Sequence, residues 1–256
     1  MWLTLGLGVL LIYGRMAERP GPTVVVSGAE PNAAPRPAAV QPPAVAGAVG
    51  GVANESRSEG RTPLIAQLAR IEARRRLTLA GAAVYLDSLL AGPDSVVRRW
   101  GEGAVLRVWI GRPPNADPVV EAVGQAFRQW ESLRLGPTFI ETQDSAEANI
   151  LVGWVTSSGS ERTGQADVSS NRDGEIEMVR ISLARTDATG RVLGLEETRS
   201  VALHEFGHAL GLPHSGRASD IMFPTVSVLR LSDRDRSSAE LLYAIPPGAL
   251  REPMPP

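Results

Sequence analysis

The chain has 256 residues, of which 43% are hydrophobic, and its formal net charge at pH 7 is only -2. That length accommodates one or two domains, and the near-neutral charge gives no indication of nucleic-acid binding or of an acidic substrate. Cysteine is absent, which excludes disulfides and thiolate metal ligands. All 26 basic residues are arginines, so an arginine cluster is weak evidence for a binding surface.

The N-terminal part of the chain is predicted to lie outside any packed core. Within residues 1–19, an uncharged run at residues 2–14 would span about 20 Å as a helix, so we expect a signal sequence or a retained membrane anchor. Residues 20–61 are rich in Pro, Ala and Gly, which predicts a disordered linker. Together these segments predict an extracytoplasmic protein, either membrane-anchored or secreted.

A helical region is predicted at residues 62–96. A capping residue and a proline at residues 62–63 form a helix-start signal, and Leu64, Leu68 and Ile71 keep helical spacing. Three interpretations are open for this extra helix. It packs on the following domain or forms a stalk, it self-associates, or it is a pro-segment that masks a site.

Residues 97–247 are predicted to form the main domain, with residues 248–256 as a tail. About 150 residues bury roughly two-thirds of their unfolded surface, which is enough to fold without disulfides. Apolar β-branched runs predict strands, and capped apolar stripes predict helices. The predicted strands lie at residues 105–111, 138–142, 150–155 and 175–184, and helices are predicted to start at Asp117, at Glu196 and after the cap Ser232.

The three histidines of the chain all fall within the stretch HEFGHALGLPH. His204 and His208 are four residues apart, so a helix places them on one face, where both can bind one ion. Gly211 favours the left-handed conformation that ends a helix, and the resulting turn brings His214 to the remaining side of the ion. Three imidazole ligands leave a fourth tetrahedral position for water, which is typical of a catalytic zinc site.

Glu205 lies beside the predicted ion and is the expected general base, which takes a proton from the water and passes it to the leaving amine. This predicts a zinc-dependent endopeptidase with one catalytic zinc ion. The alternative is a membrane-tethered, zinc-containing binding module without hydrolytic activity. The presence of Glu205 favours the enzyme, because a structural metal site has no use for a base.

The histidine stretch resembles HExxHxxGxxH, the signature of the metzincin zinc peptidases, and with Ser215 it is most similar to the matrixin branch. The resemblance implies a metzincin-like α/β (α+β) catalytic domain, with a twisted, mostly parallel five-strand sheet, three helices and a cleft between two subdomains. Residues 219–224 read SDIMFP and resemble the methionine turn of that family. The resemblance assigns Met222 to the hydrophobic floor beneath the metal.

The resemblance also implies where a protein or peptide substrate binds. Residues 164–168 fall where the family has the edge strand above the cleft, so an extended peptide is expected to bind there by strand addition, with a surface loop as the alternative. Val226 stands where relatives usually carry a tyrosine, so their side-chain preference is not carried over. The expected substrate contacts are Gly164, Gln165, Ala166, Ser200, Pro224 and Val226.

Two features of the family lack support in this chain. Many matrixins are held inactive by a pro-segment cysteine, which this chain does not contain. Some relatives bind calcium, and the acids considered for such a site are Asp144, Glu147, Asp167 and Asp173. Their spacing matches no calcium loop, so Ca²⁺ is unsupported and these side chains are expected to be solvated.

Overall fold

A computed structural model describes residues 52–91, 95–113, 117–156 and 163–251, with side chains described from residue 64 onward except that of Asp117. The predicted signal or anchor at residues 1–19 and the predicted linker as far as residue 51 lie outside the described residues. No helix among the described residues is long and apolar enough to cross a membrane. The described residues from Gln67 onward belong to one compact unit, and residues 52–66 belong to another.

The described part of the chain contains seven strands and five α-helices, and four strands follow one another between α3 and α4. The strands are β1 (Val96–Val97), β2 (Val105–Ile110), β3 (Thr138–Thr142), β4 (Ile150–Val155), β5 (Gly164–Ser170), β6 (Ile176–Ala184) and β7 (Gly248–Ala249). The helices are α1 (Val52–Ala80), α2 (Ser88–Ala91), α3 (Asp117–Glu131), α4 (Leu195–Ala209) and α5 (Asp233–Ala244). The strands and helices predicted for the main domain therefore all occur, and each begins within about one residue of its predicted start.

Strands β2 to β6 form one sheet with the order β3-β2-β4-β6-β5. Parallel pairing joins β2 to β3 and β4, and β4 to β6, whereas β5 pairs antiparallel with β6 at the edge of the sheet. Parallel neighbours require a long crossover, which α3 provides between β2 and β3. The predicted α/β fold with a mostly parallel five-strand sheet is confirmed.

Helices α3 and α4 pack against each other through aromatic side chains. The apolar stripe predicted for α3 is buried at Phe127 and Trp130. The ring of Phe127 lies 5.6 Å from that of Phe206 in α4, and Trp130 Nε1 donates a hydrogen bond to the Leu203 carbonyl at 2.8 Å. Because burial of each large apolar side chain contributes roughly 1.5–3 kcal/mol, this contact fixes the middle of α4.

The helix before the sheet packs through a face other than the predicted one. Helix α1 begins at Val52, well before the predicted start signal, and it includes the last residues of the predicted linker. Leu68 and Ile71, which indicated its apolar stripe, are each 56% exposed, whereas Ala73 and Leu77 are buried. Spacing identifies the apolar positions of a helix, but it does not show which side meets the rest of the domain.

The C-terminal end of α4 is closed by contacts from distant parts of the chain. Trp100 Nε1 donates to the Ala209 carbonyl at 2.8 Å, and the Tyr243 hydroxyl donates to the Leu210 carbonyl at 3.2 Å. These bonds satisfy carbonyl groups that a helix end leaves unpaired. Gly211 follows with φ of 97°, and a Cβ there would collide with the main-chain oxygen of Arg98.

Substitution of Gly211 by Ala is expected to destabilise the protein more than substitution of Gly190. Both glycines have positive φ, but an added Cβ at Gly190 meets nothing within 4 Å. Gly190→Ala should therefore lower the free energy of unfolding by about 1 kcal/mol, through backbone strain alone. Gly211→Ala should lower it by about 2 kcal/mol more, because the added Cβ also collides with the backbone. Urea unfolding at a fixed zinc concentration measures both, and equal losses would contradict the prediction.

Candidate metal centre

Helix α4 carries the first two histidines of the predicted metal site. His204 and His208 lie one helical turn apart, and their ring centroids are separated by 4.8 Å. His204 is completely buried, and His208 is partly exposed. Because α4 is fixed by its contacts with α3, neither ring can move far without repacking the core.

The turn after α4 brings the third histidine to the same place. Leu212 N donates to the Gly207 carbonyl at 3.0 Å, which closes the turn around Gly211. His214 Nε2 then lies 3.1 Å from His208 Nε2, and one ring nitrogen from each histidine lies within 4.8 Å of the other two. Two nitrogen ligands of a tetrahedral zinc ion are about 3.4 Å apart. The observed spacing therefore fits a shared metal ion.

Main-chain carbonyl groups set the tautomers of the two helical histidines. His204 Nδ1 lies 2.7 Å from the Ile221 oxygen, and His208 Nδ1 lies 2.8 Å from the Leu212 oxygen. A carbonyl oxygen only accepts, so each neutral ring carries its proton on Nδ1 and has a free lone pair on Nε2. Since His204 Nε2 is buried and has no hydrogen-bond partner among the described residues, it fits the role of a metal ligand.

Burial keeps the three imidazoles neutral. It lowers the pKa of His208 to about 4, lowers that of His204 well below its usual value, and lowers that of His214 to a smaller degree. The neighbouring imidazoles add to the effect of burial at His204 and His208. A neutral imidazole is the form that binds a metal ion, so the site does not need to release protons first at neutral pH.

Glu205 is a completely buried carboxyl group next to the histidines in α4. Neither of its carboxyl oxygens has a hydrogen-bond partner among the described residues. Burial, and to a smaller degree the charge of Asp167, raises the pKa of Glu205 to about 8. A Cβ at Gly164 would collide with Glu205 Oε1, so the glycine allows the first residue of β5 to lie against this carboxyl group.

Met222 lies against the helix that carries the histidines. The side chain is completely buried, and a Cβ at Gly207, the residue before His208, would collide with its sulfur atom. The Met222 carbonyl also accepts a hydrogen bond from Ser215 N at 2.7 Å. The methionine turn is therefore connected both to α4 and to the residue that follows His214.

The residues expected to contact substrate lie in two places. Gly164, Gln165 and Ala166 begin β5, where Gly164 and Ala166 are buried and Gln165 Nε2 donates to Asp167 at 2.8 Å. Glu205 lies beside this strand through its contact with Gly164. The structure therefore brings the sheet edge and the carboxyl group of α4 together.

The other expected substrate contacts lie on α4 and after the methionine turn. Ser200 is buried, and its hydroxyl donates to the Val228 carbonyl at 2.5 Å. Val226 is also buried, and Pro224 is partly exposed. The Ser200 hydroxyl thus connects α4 to the segment that contains Pro224 and Val226.

The sequence reasoning missed a group of charged residues buried near the third histidine. Asp220 and Asp235 are 1% and 0% exposed, and Arg234 pairs with Asp220. None of the three had a predicted role. The one available signal was an acidic residue within the otherwise apolar methionine turn, because a buried charge requires a partner.

The described residues contain one cluster of ligand-type side chains that lies close enough to hold a metal ion, and it consists of the three histidines. The acids considered for calcium, Asp144, Glu147, Asp167 and Asp173, are all exposed. Asp144 accepts a hydrogen bond from Ala146 N at 2.8 Å, as in an ordinary turn. The structure therefore offers no evidence for calcium at these acids.

The metal-free protein is expected to be most stable near pH 6.5. Between pH 4.5 and 8 the folded state holds more protons at Glu205 than the unfolded state does, so the unfolding free energy falls as pH rises. Below pH 6.5 the imidazoles bind up to three more protons in the unfolded state than in the folded state. This exceeds the one extra proton that the folded state holds on Glu205, so the unfolding free energy falls as the pH is lowered. The expected loss between pH 6.5 and 8 is about 2 kcal/mol.

Urea unfolding of chelator-treated protein across this pH range tests the expectation. Glu205→Gln is the control, because it keeps the shape of the side chain but cannot titrate. The alkaline loss of stability should disappear in this variant, and the acid loss should persist. A parent and a variant with the same alkaline slope would show that Glu205 does not carry the effect.

The matrixin family model matches residues 111–244, about half of the chain. The matched range extends from the residue after β2 through α5, and it contains the three histidines, Glu205 and Met222. This agrees with the resemblance drawn from the histidine stretch and with the five-strand sheet. The chain therefore belongs to the matrixin family, whose members are zinc metallopeptidases.

Proposed function

We propose that this matrixin is a zinc-dependent endopeptidase that hydrolyses peptide bonds of extracytoplasmic proteins. The observation that carries the proposal is the position of Glu205, a completely buried carboxyl group without a hydrogen-bond partner among the described residues, beside three converging imidazoles. Burying such a group without a partner costs stability, which a purely structural metal site would have no reason to accept. This supports the enzyme over a zinc-containing binding module.

The proposed organisation of the chain follows from its composition and pattern. We assign residues 1–19 to a signal or anchor and residues 20–51 to a linker, which ends earlier than predicted because α1 begins at Val52; the helical region then extends to residue 96. The predicted catalytic domain of residues 97–247 also includes Val96 and residues 248–250, because β1 pairs with β7 and Leu250 is buried, and the residues after Leu250 form the tail. The uncharged run at residues 2–14 supports a location outside the cytoplasm, either attached to the membrane or secreted.

The site residues have distinct roles in the proposed reaction. His204, His208 and His214 would hold the zinc ion, which when bound polarises the substrate carbonyl and acidifies water. Glu205 accepts the proton of the attacking water on a carboxylate oxygen and delivers it to the leaving nitrogen. Burial raises the pKa of Glu205 in the metal-free protein, and the charge of a bound zinc ion would favour the carboxylate form that accepts the proton.

The edge strand β5 is the proposed binding place of an extended substrate. One side of β5 pairs with β6, and on its other side it meets no strand among the described residues. Main-chain N–H and C=O groups on that side can bind a peptide as an added strand. The contact between Gly164 and Glu205 supports this binding place, because a peptide added to β5 would lie next to the proposed base.

Glu205→Gln is expected to keep zinc and to lose peptidase activity. The amide preserves the volume of the side chain but cannot accept the proton, so kcat should fall by about 10²–10⁴-fold. Glu196→Gln, an exposed position on the same helix, is the matched control and should retain activity. Bound zinc is measured by atomic absorption, and cleavage is measured on a broad peptide library.

The outcomes separate the two candidate functions. Zinc in the parent without any cleavage would favour the binding module, and cleavage by Glu205→Gln at the parent rate would contradict the role of Glu205 as base. Loss of zinc from the variant would show that the carboxyl group maintains the metal site instead.

Methylation of the backbone nitrogen of a peptide substrate is expected to weaken binding at alternate positions. In an added strand, successive N–H groups point in opposite directions, so only every second one bonds to β5. A series of peptides methylated at one nitrogen each should show KM raised at every second position near the cleavage site. An equal effect at all positions, or at none, would contradict strand addition.

A further inference from the structure

The loop that carries His214 is held by an ion pair between a buried aspartate and a partly exposed arginine. Asp220 is 1% exposed, and its Oδ2 lies 2.5 Å from Arg234 Nη1 in α5. The same carboxylate accepts hydrogen bonds from the hydroxyl groups of Ser215 and Ser232. The ion pair and both of these hydrogen bonds therefore join Asp220 to residues that follow α4 in the chain.

Asp220 determines the shape of the segment between the third histidine and the methionine turn. Ser215, which follows His214, donates its hydroxyl to Asp220 and its N–H to the Met222 carbonyl. Asp220 and Met222, at the end of this segment, thus both contact Ser215, the residue next to His214. A change at Asp220 is transmitted to the ring of His214 through one peptide unit.

Arg234 is itself fixed by the chain that precedes the family-matched range. Its Nε donates to the Ala82 carbonyl at 3.1 Å and its Nη2 to the Val84 carbonyl at 2.9 Å. The guanidinium carbon lies 5.5 Å from the ring centroid of Tyr85. Arg234 therefore donates from three different nitrogen atoms, from two of them to residues 82–84 and from the third to Asp220. A lysine has one nitrogen atom and cannot make the same set of bonds.

A second path joins Tyr85 to the first histidine. The Tyr85 hydroxyl donates to Asp235 Oδ1 at 2.9 Å, and Asp235 Oδ2 accepts from Ile221 N at 2.9 Å. The carbonyl of Ile221 is the group that faces His204 Nδ1 at 2.7 Å. Residues 82–85 are thus connected to the ligands His204 and His214 by two routes.

We propose that Arg234 is a positioning residue of the metal site, which acts through Asp220 and Ser215 to hold His214 in place. A buried ion pair contributes little net stability, because desolvation of both charges offsets most of their attraction. What the pair does supply is one defined arrangement of donors and acceptors. The inference rests on the proposed function in that His214 binds zinc.

The test compares Arg234→Lys with Arg99→Lys in the full-length protein. Arg99 is a matched control, because it makes the same kinds of contact. It donates to the carbonyl groups of Ile245 and Trp100, and its guanidinium carbon lies 5.6 Å from the ring centroid of Tyr243. Neither carbonyl belongs to residues 214–222. Both variants keep the positive charge, and their urea midpoints are expected to fall by similar amounts.

Zinc affinity, measured by competition with a chromophoric chelator, is the main measurement. Arg234→Lys should raise the zinc dissociation constant by about 10-fold or more, as loss of a group that orients metal ligands does. Arg99→Lys should leave it within about 2-fold of the parent value. The visible absorption of the cobalt(II)-substituted protein should change in Arg234→Lys only, because it reports the arrangement of the ligands.

Equal zinc affinity and equal cobalt spectra in the parent and Arg234→Lys, or equal losses in both lysine variants, would overturn the proposal. If Arg234→Lys does not fold, the paired change Asp220→Asn with Arg234→Gln removes both buried charges together, and the same loss of affinity is expected. A parent that binds zinc but cleaves no peptide would refute the proposed endopeptidase function, while the affinity comparison would still decide the role of Arg234.

Discussion

Two main-chain carbonyl groups determine what the histidines of this matrixin can bind. The oxygens of Ile221 and Leu212 face Nδ1 of His204 and His208, so the free lone pair of each ring is on Nε2. Both carbonyls belong to the chain that follows α4. Helix α4 therefore supplies the two rings, whereas the turn after α4 and the methionine turn fix their orientation. A metal site exists only when all three segments are in place.

Close packing around α4 depends on two positions without a side chain. A Cβ at Gly164 would meet Glu205, and a Cβ at Gly207 would meet Met222 and approach Trp130 to 3.0 Å. The first contact brings the sheet edge to the carboxyl group, and the second brings the methionine turn to the helix. Any larger residue would separate these segments, so the structure of the site is set as much by small residues as by the ligands themselves.

The parts of the structure that sequence predicts are those with a local pattern. The histidine spacing, the strand runs and the helix starts each depend on residues within about ten positions of one another, and the structure reproduces these elements. The packing face of α1 and the buried charges depend on partners far along the chain. Tyr85 and Asp235, for example, are separated by 150 positions. A pair of this kind leaves no periodic signal in a single sequence.

The buried acids near the metal site differ in how they are satisfied, and this difference separates their roles. Asp235 accepts from Tyr85 and from two main-chain N–H groups, and Asp220 is paired with Arg234, so both acids have fixed partners. Glu205 has no partner among the described residues, and burial raises its pKa to about 8. A carboxyl group with hydrogen-bond partners on both oxygens maintains structure, whereas one buried without partners and with a raised pKa can exchange a proton with a substrate. The same low-polarity environment therefore fixes two acids behind the histidines and keeps a third one reactive beside them.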